Sequence, residues 1–353
     1  MHGANYKSLY ERFQLEVPET VYDLSENVNF LGAPPAIKTV WPALLETISS
    51  YPHPEAEPLR STLAQTHNVS SNHILVGNGA AELLTFFANR FSGKRVIILH
   101  PTFSEYKLTL DAAGAEVVEL VIEDLHNYQL PLSAIKEAMK DASCIYFCNP
   151  NNPTGALISK TILEELIRYG EQVNCEIVVD EAFMDWTDEK NSVIPIVPRH
   201  NHVTVFRSMT KMYGIAGVRL GYLVGSPQLV EQLENKLPHW HVNQLAIELG
   251  EICLQDESFR LESIRKSNEI KQDITLFLEQ HDCIVLKSAA NFLCFQLKKY
   301  EQTREFYFHC LKRGVVLRHT ENYEGLNGQW LRIGMKDHAA MEAFKLCIDE
   351  WCK

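Results

Sequence analysis

The stretch FRSMTKMYGIAGVRLGY, residues 206–222, places a lysine in a loop rich in small residues, directly after an apolar run. Ser208 lies three residues before Lys211, and Arg219 lies eight residues after it. A hydroxyl donor and a guanidinium fork both suit a phosphate group. The stretch therefore predicts a reactive amine held beside an anion site at the end of a strand.

The composition is that of a soluble enzyme and excludes several other classes. The chain of 353 residues is 46% hydrophobic and 22% charged, which is enough for two domains with a full core. A net charge of −12 argues against nucleic acid or an anionic membrane as a partner, and no apolar run approaches the ~20 residues that span a bilayer. The nine cysteines form no CxxC pair and follow no secretory signal, so we expect a cytoplasmic protein with reduced thiols and no metal site.

Short apolar runs alternate with helical patterns through the first two thirds of the chain. The runs expected to be strands are residues 74–76, 96–99, 117–122, 145–148, 177–179, 203–206 and 220–224. Such an alternation predicts a mostly parallel sheet covered by helices on both faces. In sheets of this kind, ligands bind beyond the carboxyl ends of the strands.

Further polar groups follow those strand ends. GNGAAE, residues 77–82, is either a helix start whose amides approach an anion or a simple tight turn. NPNNPTG, residues 149–155, offers amide donors or forms an ordinary turn. Asp180 ends an apolar strand and must be paired there, by a protonated pyridine nitrogen, a helix N-cap or a core hydrogen bond. An amine beside an anion site, together with a carboxylate for a pyridine nitrogen, is what pyridoxal phosphate (PLP) chemistry requires.

The pattern changes near residue 240. Long helical patterns at 241–254 and 257–280 precede strand patterns near 283–286, 292–297, 315–318 and 330–333 and a last helix at 339–351. These elements predict a smaller α+β domain. We therefore predict three parts: an N-terminal arm associated with the small domain (1–35), a large cofactor-binding domain (36–240) and a small C-terminal domain (241–353).

The motifs NPNNPTG, VDEA and SxxK followed by an arginine occur in the order and spacing of a known family. On these motifs the chain resembles, over nearly its whole length, the PLP-dependent enzymes of fold type I in the class I and II aminotransferase group. The resemblance implies an α/β fold with a mostly parallel, seven-stranded sheet flanked by helices and a smaller α+β C-terminal domain. It also implies a homodimer with shared active sites.

The resemblance implies a role at the cofactor for each matching residue. Lys211 is expected to be the Schiff-base lysine, Asp180 the partner of the pyridine nitrogen and Asn152 the donor to the phenolic oxygen. The groups expected to hold the phosphate are the side chains of Ser208 and Arg219 and the backbone amides at Gly79, Ala80 and Ala81.

Other residues are assigned to stacking, to the neighbouring subunit and to the substrate. Tyr106 is expected to stack on the cofactor ring, and Tyr51 to reach the phosphate of the neighbouring subunit's cofactor. Arg332 is expected to take the substrate carboxylate, Arg318 its phosphate or carboxylate, and Asn29 another part of the substrate. Without the family, Tyr51 would be interpreted as a surface aromatic, and Arg332 would fit a surface arginine as well as a substrate-binding one.

Two branches of the group are most similar to the chain: threonine-phosphate decarboxylase of the cobalamin pathway and histidinol-phosphate aminotransferase. Phe183 stands where the aminotransferases usually place a tyrosine whose hydroxyl bonds the phenolic oxygen. The segments that favour the decarboxylase branch are SENVN (25–29), GNGAAEL (77–83), PTFSEY (101–106), DEAFMD (180–185) and YEGL (323–326).

We therefore predict decarboxylation of O-phospho-L-threonine, or a close phospho-amino acid, to (R)-1-aminopropan-2-yl phosphate and CO₂. Transamination of the histidinol-phosphate type is the alternative, because the same cofactor site serves both reactions. A non-catalytic regulator with this fold is a third hypothesis. It is disfavoured because such proteins usually carry a DNA-binding domain, and no basic N-terminal extension is expected here.

Overall fold

The computed structural model describes residues 5–353, so the first four residues of the predicted N-terminal arm lie outside the described residues. The strands, numbered along the chain, are β1 (Tyr22–Asp23), β2 (Ile74–Gly77), β3 (Arg95–His100), β4 (Glu116–Val121), β5 (Cys144–Cys148), β6 (Glu176–Asp180), β7 (Val203–Ser208), β8 (Gly221–Val224), β9 (Ile284–Val285), β10 (Phe292–Gln296), β11 (Val315–Val316), β12 (Arg318–His319) and β13 (Leu331–Gly334).

The α-helices are α1 (Tyr6–Phe13), α2 (Pro35–Thr47), α3 (Leu59–His67), α4 (Ala80–Ala88), α5 (Glu105–Ala112), α6 (Leu132–Met139), α7 (Lys160–Val173), α8 (Met209–Met212), α9 (Pro227–Glu234), α10 (Gln244–Gln255), α11 (Glu257–Gln280), α12 (Thr303–Lys312) and α13 (His338–Trp351). Within residues 5–353, none of these helices has the length and apolar character needed to cross a membrane.

A seven-stranded sheet dominates the fold, with the strand order β2-β8-β7-β6-β5-β3-β4. Six of its strands share one direction, and β8 runs antiparallel to both of its neighbours. Each of the seven apolar runs picked out in the sequence is a strand of this sheet. The predicted fold, a mostly parallel sheet flanked by helices with a smaller C-terminal part, is confirmed.

Burial on both faces of the sheet explains why its strands are continuously apolar. Successive side chains of a strand point to opposite faces. In β5, Ile145 and Phe147 pack into the core shared with α7, while Tyr146 and Cys148 pack into the core shared with α4. The central strands therefore have no polar face, and polar residues collect at their ends.

The C-terminal part forms a second, four-stranded antiparallel sheet, with the order β12-β13-β10-β9. The strand predicted at 315–318 is divided: β11 pairs with β1 of the N-terminal segment, and β12 pairs with β13. A separate core lies between this region and α1, α12 and α13, whereas α10 packs on α2 and α3. The domain boundaries at residues 35 and 240 stay a prediction.

Candidate active site

The carboxyl ends of neighbouring strands meet at one edge of the large sheet. Asp180 ends β6 and Ser208 ends β7, while residues 149–155 follow β5. Because β8 is antiparallel, its first residue, Gly221, pairs with Ser208 at the same edge, and Arg219 comes just before it. These segments surround a cavity of about 360 Å³, a volume typical of small-molecule sites.

Most of the predicted site residues line this cavity. They are Gly79, Ala80, Ala81, Tyr106, Asn152, Asp180, Ser208, Lys211, Arg219, Arg318 and Arg332. Asn29 and Tyr51 lie elsewhere in the chain's own fold.

Lys211 lies in α8, directly after β7. Its Nζ is 3.0 Å from Oγ of Ser208, and the Ser208 hydroxyl is 2.8 Å from that of Thr210. Burial lowers the pKa of Lys211, the carboxylate of Asp180 raises it and the guanidinium of Arg219 lowers it again, with a net decrease. A lysine with a lowered pKa holds a larger share of the neutral amine, which is the nucleophilic form.

Asp180 accepts two hydrogen bonds that fix its orientation. The Tyr106 hydroxyl donates to Oδ2 over 2.6 Å, and the amide of Ala182 donates to Oδ1 over 2.9 Å. Burial raises the pKa of Asp180, while these hydrogen bonds and the charge of Lys211 partly oppose that shift. The carboxylate is oriented but desolvated, so a protonated ring nitrogen is a partner that suits it. The stacking role of the Tyr106 ring stays a prediction.

The amino end of α4 is shaped to receive an anion. Within the described chain no side chain caps this helix, and the first amides of a helix have no intrahelical acceptor. Gly79, the residue before the helix, has a φ of 80°, and a Cβ there would stand 2.6 Å from Nη2 of Arg219. The guanidinium thus lies against the helix end, an arrangement that suits a phosphate.

Arg332 of β13 connects two distant segments inside the cavity. Its Nη1 donates to Oδ1 of Asn152 over 2.5 Å, and its Nη2 donates to the carbonyl oxygen of Ser25 over 2.6 Å. Its Nε is buried and finds no hydrogen-bond partner among residues 5–353. Since Oδ1 of Asn152 is occupied, the amide nitrogen of Asn152 is the group left to donate to a phenolic oxygen.

Arg318 stands directly opposite Arg332 in the register of β12 and β13. Its Nη2 donates to Oδ1 of Asn322 over 2.9 Å, and its guanidinium carbon lies 5.1 Å from the centre of the Tyr323 ring. The two arginines are only 7% and 5% exposed. Neither forms an ion pair with a carboxylate in the part of the chain that the structure describes, so the cavity holds two cationic groups that lack an anion.

Asn29 is not among the residues that line the cavity, and its expected contact with the substrate stays a prediction. Its Nδ2 donates to the carbonyl oxygen of Met212 over 2.7 Å and to Oγ of Ser263 over 2.8 Å. Its backbone amide donates to the carbonyl oxygen of Lys211 over 2.9 Å. Asn29 therefore holds the lysine-bearing turn from behind, and Asn27 lines the cavity instead.

Tyr51 lies on the surface of its own chain. It is 81% exposed, and its ring centre is 4.9 Å from that of Trp240. Its predicted contact with a neighbouring subunit's cofactor stays a prediction.

Two hydroxyl groups of the site were missed as site residues from the sequence. Thr210 contacts Ser208 and lies in the same turn as Lys211; its place in the SxxK segment was the available signal. The Tyr323 hydroxyl lies 3.4 Å from Oδ1 of Asn152. Tyr323 was noted only as part of the YEGL segment, because its approach to a residue 171 positions away has no local signature.

The donor set of the cavity fits PLP. The amino end of α4 and Arg219 suit the phosphate of PLP, and Asp180 suits its ring nitrogen. The amide of Asn152 suits its phenolic oxygen, and the amine of Lys211 suits its aldehyde. The close approach of Arg219 to Gly79 leaves the helix amides and the guanidinium on one anion-binding surface.

Comparisons with known proteins give the same assignment. The profile described as "Aminotransferase class I and II" matches residues 19–345. Threonine-phosphate decarboxylase of Salmonella typhimurium is 29% identical over 344 residues, which cover 97% of this chain and 93% of that protein. Histidinol-phosphate aminotransferase of Methanococcus aeolicus is 28% identical over 343 residues, which cover 94% and 91%.

Solved structures agree on the fold. L-threonine-O-3-phosphate decarboxylase from Porphyromonas gingivalis has a TM-score of 0.82 at 26% identity, covering 93% of this chain and 98% of that one. Histidinol-phosphate aminotransferase from Sinorhizobium meliloti, in complex with pyridoxal-5'-phosphate, has a TM-score of 0.85 at 19% identity, covering 99% and 95%. The predictions of the family, the fold type and PLP as cofactor are confirmed. With nearly its whole length matched, the chain belongs to the aminotransferase class I and II family.

Proposed function

We propose that this enzyme decarboxylates O-phospho-L-threonine, or a close phospho-amino acid, to (R)-1-aminopropan-2-yl phosphate and CO₂. Bound PLP would supply an electron sink for the bond that breaks at Cα. The protein's part is to orient the substrate so that its carboxylate is the group released, to exclude water and to return a proton to Cα.

The observation that carries the proposal is the opposed pair Arg318 and Arg332. Like charges directly across two strands destabilise a sheet, and in residues 5–353 no carboxylate pairs with either of them. A substrate with both a carboxylate and a phosphate would satisfy both guanidinium groups. We assign the carboxylate to Arg332 and the phosphate to Arg318.

Two further residues have roles in this reaction. Lys211 lines the cavity, and its lowered pKa favours the neutral amine, which can exchange a proton at Cα. Phe183 also lines the cavity, is only 4% exposed and packs on Phe292 with ring centres 5.0 Å apart. Its ring offers no hydroxyl to the phenolic oxygen, so this hydrogen bond is left to Asn152.

Transamination of the histidinol-phosphate type is the second candidate. The relatives of the two kinds are 29% and 28% identical to this chain, so similarity favours neither strongly. Histidinol phosphate carries one anionic group, whereas glutamate, the amino donor of such reactions, carries two carboxylates. Two arginines therefore favour phospho-amino acids over histidinol phosphate. Because glutamate also carries two anionic groups, the enzyme must be tested with glutamate as well.

The deciding experiment incubates the purified holoenzyme with O-phospho-L-threonine and, separately, with glutamate. We expect CO₂ and aminopropanol phosphate from the first and no loss of the visible absorbance of the lysine-bound cofactor with the second. Conversion of the cofactor to its pyridoxamine form by glutamate, without CO₂ from phosphothreonine, would establish the transaminase instead. L-threonine lacks the phosphate, so its rate tests the proposed contact of Arg318 with that group. O-phospho-L-serine lacks one methyl group, and we expect about 10- to 200-fold discrimination in kcat/KM between it and O-phospho-L-threonine.

We also propose that the enzyme is a homodimer with shared active sites. One face of α2 exposes Trp41 and Leu45, Ile48 is exposed directly after the helix, and the exposed pair Tyr51 and Trp240 adds further apolar surface. Exposed apolar residues at this density are typical of a subunit interface. Burying this face would place Tyr51 at the interface, which its proposed contact with the partner's cofactor phosphate requires.

Mixing two variants, each altered at one of the two residues, tests this arrangement. A heterodimer of Lys211→Ala and Tyr51→Phe subunits contains one site with both native residues, if Tyr51 acts across the interface. Activity should rise on mixing and refolding the two variants together. No recovery, or a monomer in analytical ultracentrifugation, would contradict the shared site.

A further inference from the structure

Three potential metal ligands meet at the edge of the large sheet opposite the cavity. Glu171 lies in the last turn of α7, and His200 and His202 immediately precede β7. One donor atom from each of the three lies within 4.8 Å of the others. Strand β7 separates this cluster from Lys211, a distance of about 20 Å at ~3.3 Å per residue, so the cluster is separate from the active site.

The ring of His202 is already oriented as metal-binding histidines usually are. Its Nε2 lies 2.9 Å from the carbonyl oxygen of Ile167 in α7. A carbonyl oxygen only accepts, so Nε2 carries a hydrogen, which leaves Nδ1 as the ring nitrogen that can bind a cation. Histidines that bind metals commonly donate their other ring N–H to such a carbonyl, which fixes both tautomer and orientation.

His200 supplies a second nitrogen that has no hydrogen-bond partner among the described residues. Its Nδ1 is buried, lies 3.4 Å from Oε2 of Glu171 and forms no hydrogen bond with the described residues. The rings of His200 and His202 have centres 5.8 Å apart and planes at 89°. Bonds of about 2.0–2.2 Å to a shared cation would need shifts of ~1–2 Å, which rotation of the half-exposed Glu171 side chain and small ring movements can supply.

The local electrostatics favour a cation. Helix α7 ends at Val173, two residues beyond Glu171, and the carboxyl end of a helix carries partial negative charge. We propose that Glu171, His200 and His202 bind one Zn²⁺, or a similar borderline divalent cation, and leave a fourth position to water. The ion would fasten α7 to the start of β7 and stabilise the fold, with no part in the reaction.

The sequence alone predicted no metal site, because its cysteines form no CxxC pair and Glu171 and His200 are 29 positions apart. The helix and the strand bring the three ligands together, so the site exists only in the folded chain. Its cation would therefore raise the free energy of unfolding by mass action.

The test measures Zn²⁺ bound per chain by equilibrium dialysis of the holoenzyme. All variants carry Cys352→Ser, because Cys352 is the exposed thiol among the described residues. A control variant, His338→Ala, removes a histidine whose side chain is 90% exposed on α13. We expect one Zn²⁺ per chain in the control, and affinity at least about tenfold lower in His202→Ala and Glu171→Gln.

Thermal unfolding provides the second readout. Zn²⁺ should raise the Tm of the control and leave the Tm of His202→Ala and Glu171→Gln nearly unchanged. Equal affinity, or an equal rise in Tm, in all variants would place the ion elsewhere and overturn the proposal. Binding at millimolar Zn²⁺ alone would mean an adventitious ion only, which also overturns it.

Discussion

Arg332 and Asn152 lie 180 positions apart in the chain and are joined by a hydrogen bond of 2.5 Å from Nη1 to Oδ1. The same guanidinium donates to the carbonyl oxygen of Ser25. One side chain of the C-terminal sheet thus connects the N-terminal segment to the loop that follows β5. The proposed binding of the substrate carboxylate and the placement of the Asn152 amide are therefore coupled through Arg332.

The variant Arg332→Lys tests this coupling. Lysine keeps the charge but loses the planar fork that reaches Asn152 and Ser25 together. We expect kcat/KM to fall at least about 30-fold, because a hydrogen bond to a charged group contributes about 2 kcal/mol. Arg304→Lys, at an arginine 65% exposed and outside the cavity, is the control. A higher KM with an unchanged kcat would show that Asn152 is positioned without Arg332.

Two variants of Tyr106 separate the contribution of its hydroxyl to cofactor affinity from that of its ring. Tyr106→Phe removes the 2.6 Å hydrogen bond to Asp180 and retains the ring proposed to stack on the cofactor, whereas Tyr106→Leu removes both. We expect about a 3- to 10-fold weaker cofactor affinity for the first variant, the effect of one hydrogen bond, and a further loss for the second. Fluorescence titration of the apoenzyme with PLP measures both. Equal affinities for the two variants would exclude a contribution from stacking.

The large sheet was predictable because burial on both faces leaves its strands apolar throughout, as in CIYFC of β5. The division of residues 315–318 was not, because β11 and β12 differ only in their distant partners, β1 and β13. Local sequence carries no information on such partners.

The same reason explains which of the predicted residues line the cavity and which do not. Lys211 and Asp180 stand at strand ends within recognisable segments. Asn29 belongs to a segment of the right kind, but its amide is taken up by Met212 and Ser263, 183 and 234 positions away. The contacts of Tyr323 and of the metal-ligand cluster likewise depend on long-range packing.

The variant Phe183→Tyr tests how the side chain at position 183 affects the acidity of the lysine-bound cofactor. In Phe183→Tyr the added hydroxyl can donate to the phenolic oxygen beside Asn152 and stabilise its ionised form. We expect the pH midpoint of the visible absorbance of the lysine-bound cofactor to fall by about one unit, equivalent to ~1.4 kcal/mol. A pH titration of the absorbance checks this, and an unchanged Tm would show that the hydroxyl is accommodated beside Phe292. A midpoint that stays in place would mean that this ring does not face the phenolic oxygen.

His67 should make the fold sensitive to acid. Burial and the charge of Arg207 lower the pKa of His67 to about 3, and its Nε2 is 2.7 Å from the Tyr222 hydroxyl. The unfolded chain, with an ordinary pKa near ~6.5, binds the proton more tightly. The stabilising contribution is therefore present above about pH 6.5 and is lost as the pH falls towards 3.

The measurement compares Tm between pH 8 and pH 5 for the native chain and His67→Gln. At pH 5 the native chain should have lost about 2 kcal/mol of this contribution, and the variant should show a shallower decline. Asp185 acts in the opposite sense, because burial raises its pKa to about 6, so the difference between the two chains is the informative quantity. Parallel declines would show that His67 is not the responsible group.

Gly79, at the amino end of α4, lies against the guanidinium of Arg219. An alanine there would adopt a φ of 80° and place its Cβ 2.6 Å from Nη2 of Arg219, so the guanidinium would have to leave the helix end. We expect the affinity for PLP to fall at least about tenfold, since a charge-assisted contact to phosphate contributes ~1.5–3 kcal/mol. Gly93→Ala is the matched control, because Gly93 also has a positive φ, 69°, but nothing within 4 Å of its added Cβ. Both variants share the backbone strain of about 1–2 kcal/mol, so both should lose Tm, and Gly79→Ala alone should lose affinity. Equal affinity in the two variants would separate Arg219 from the phosphate site.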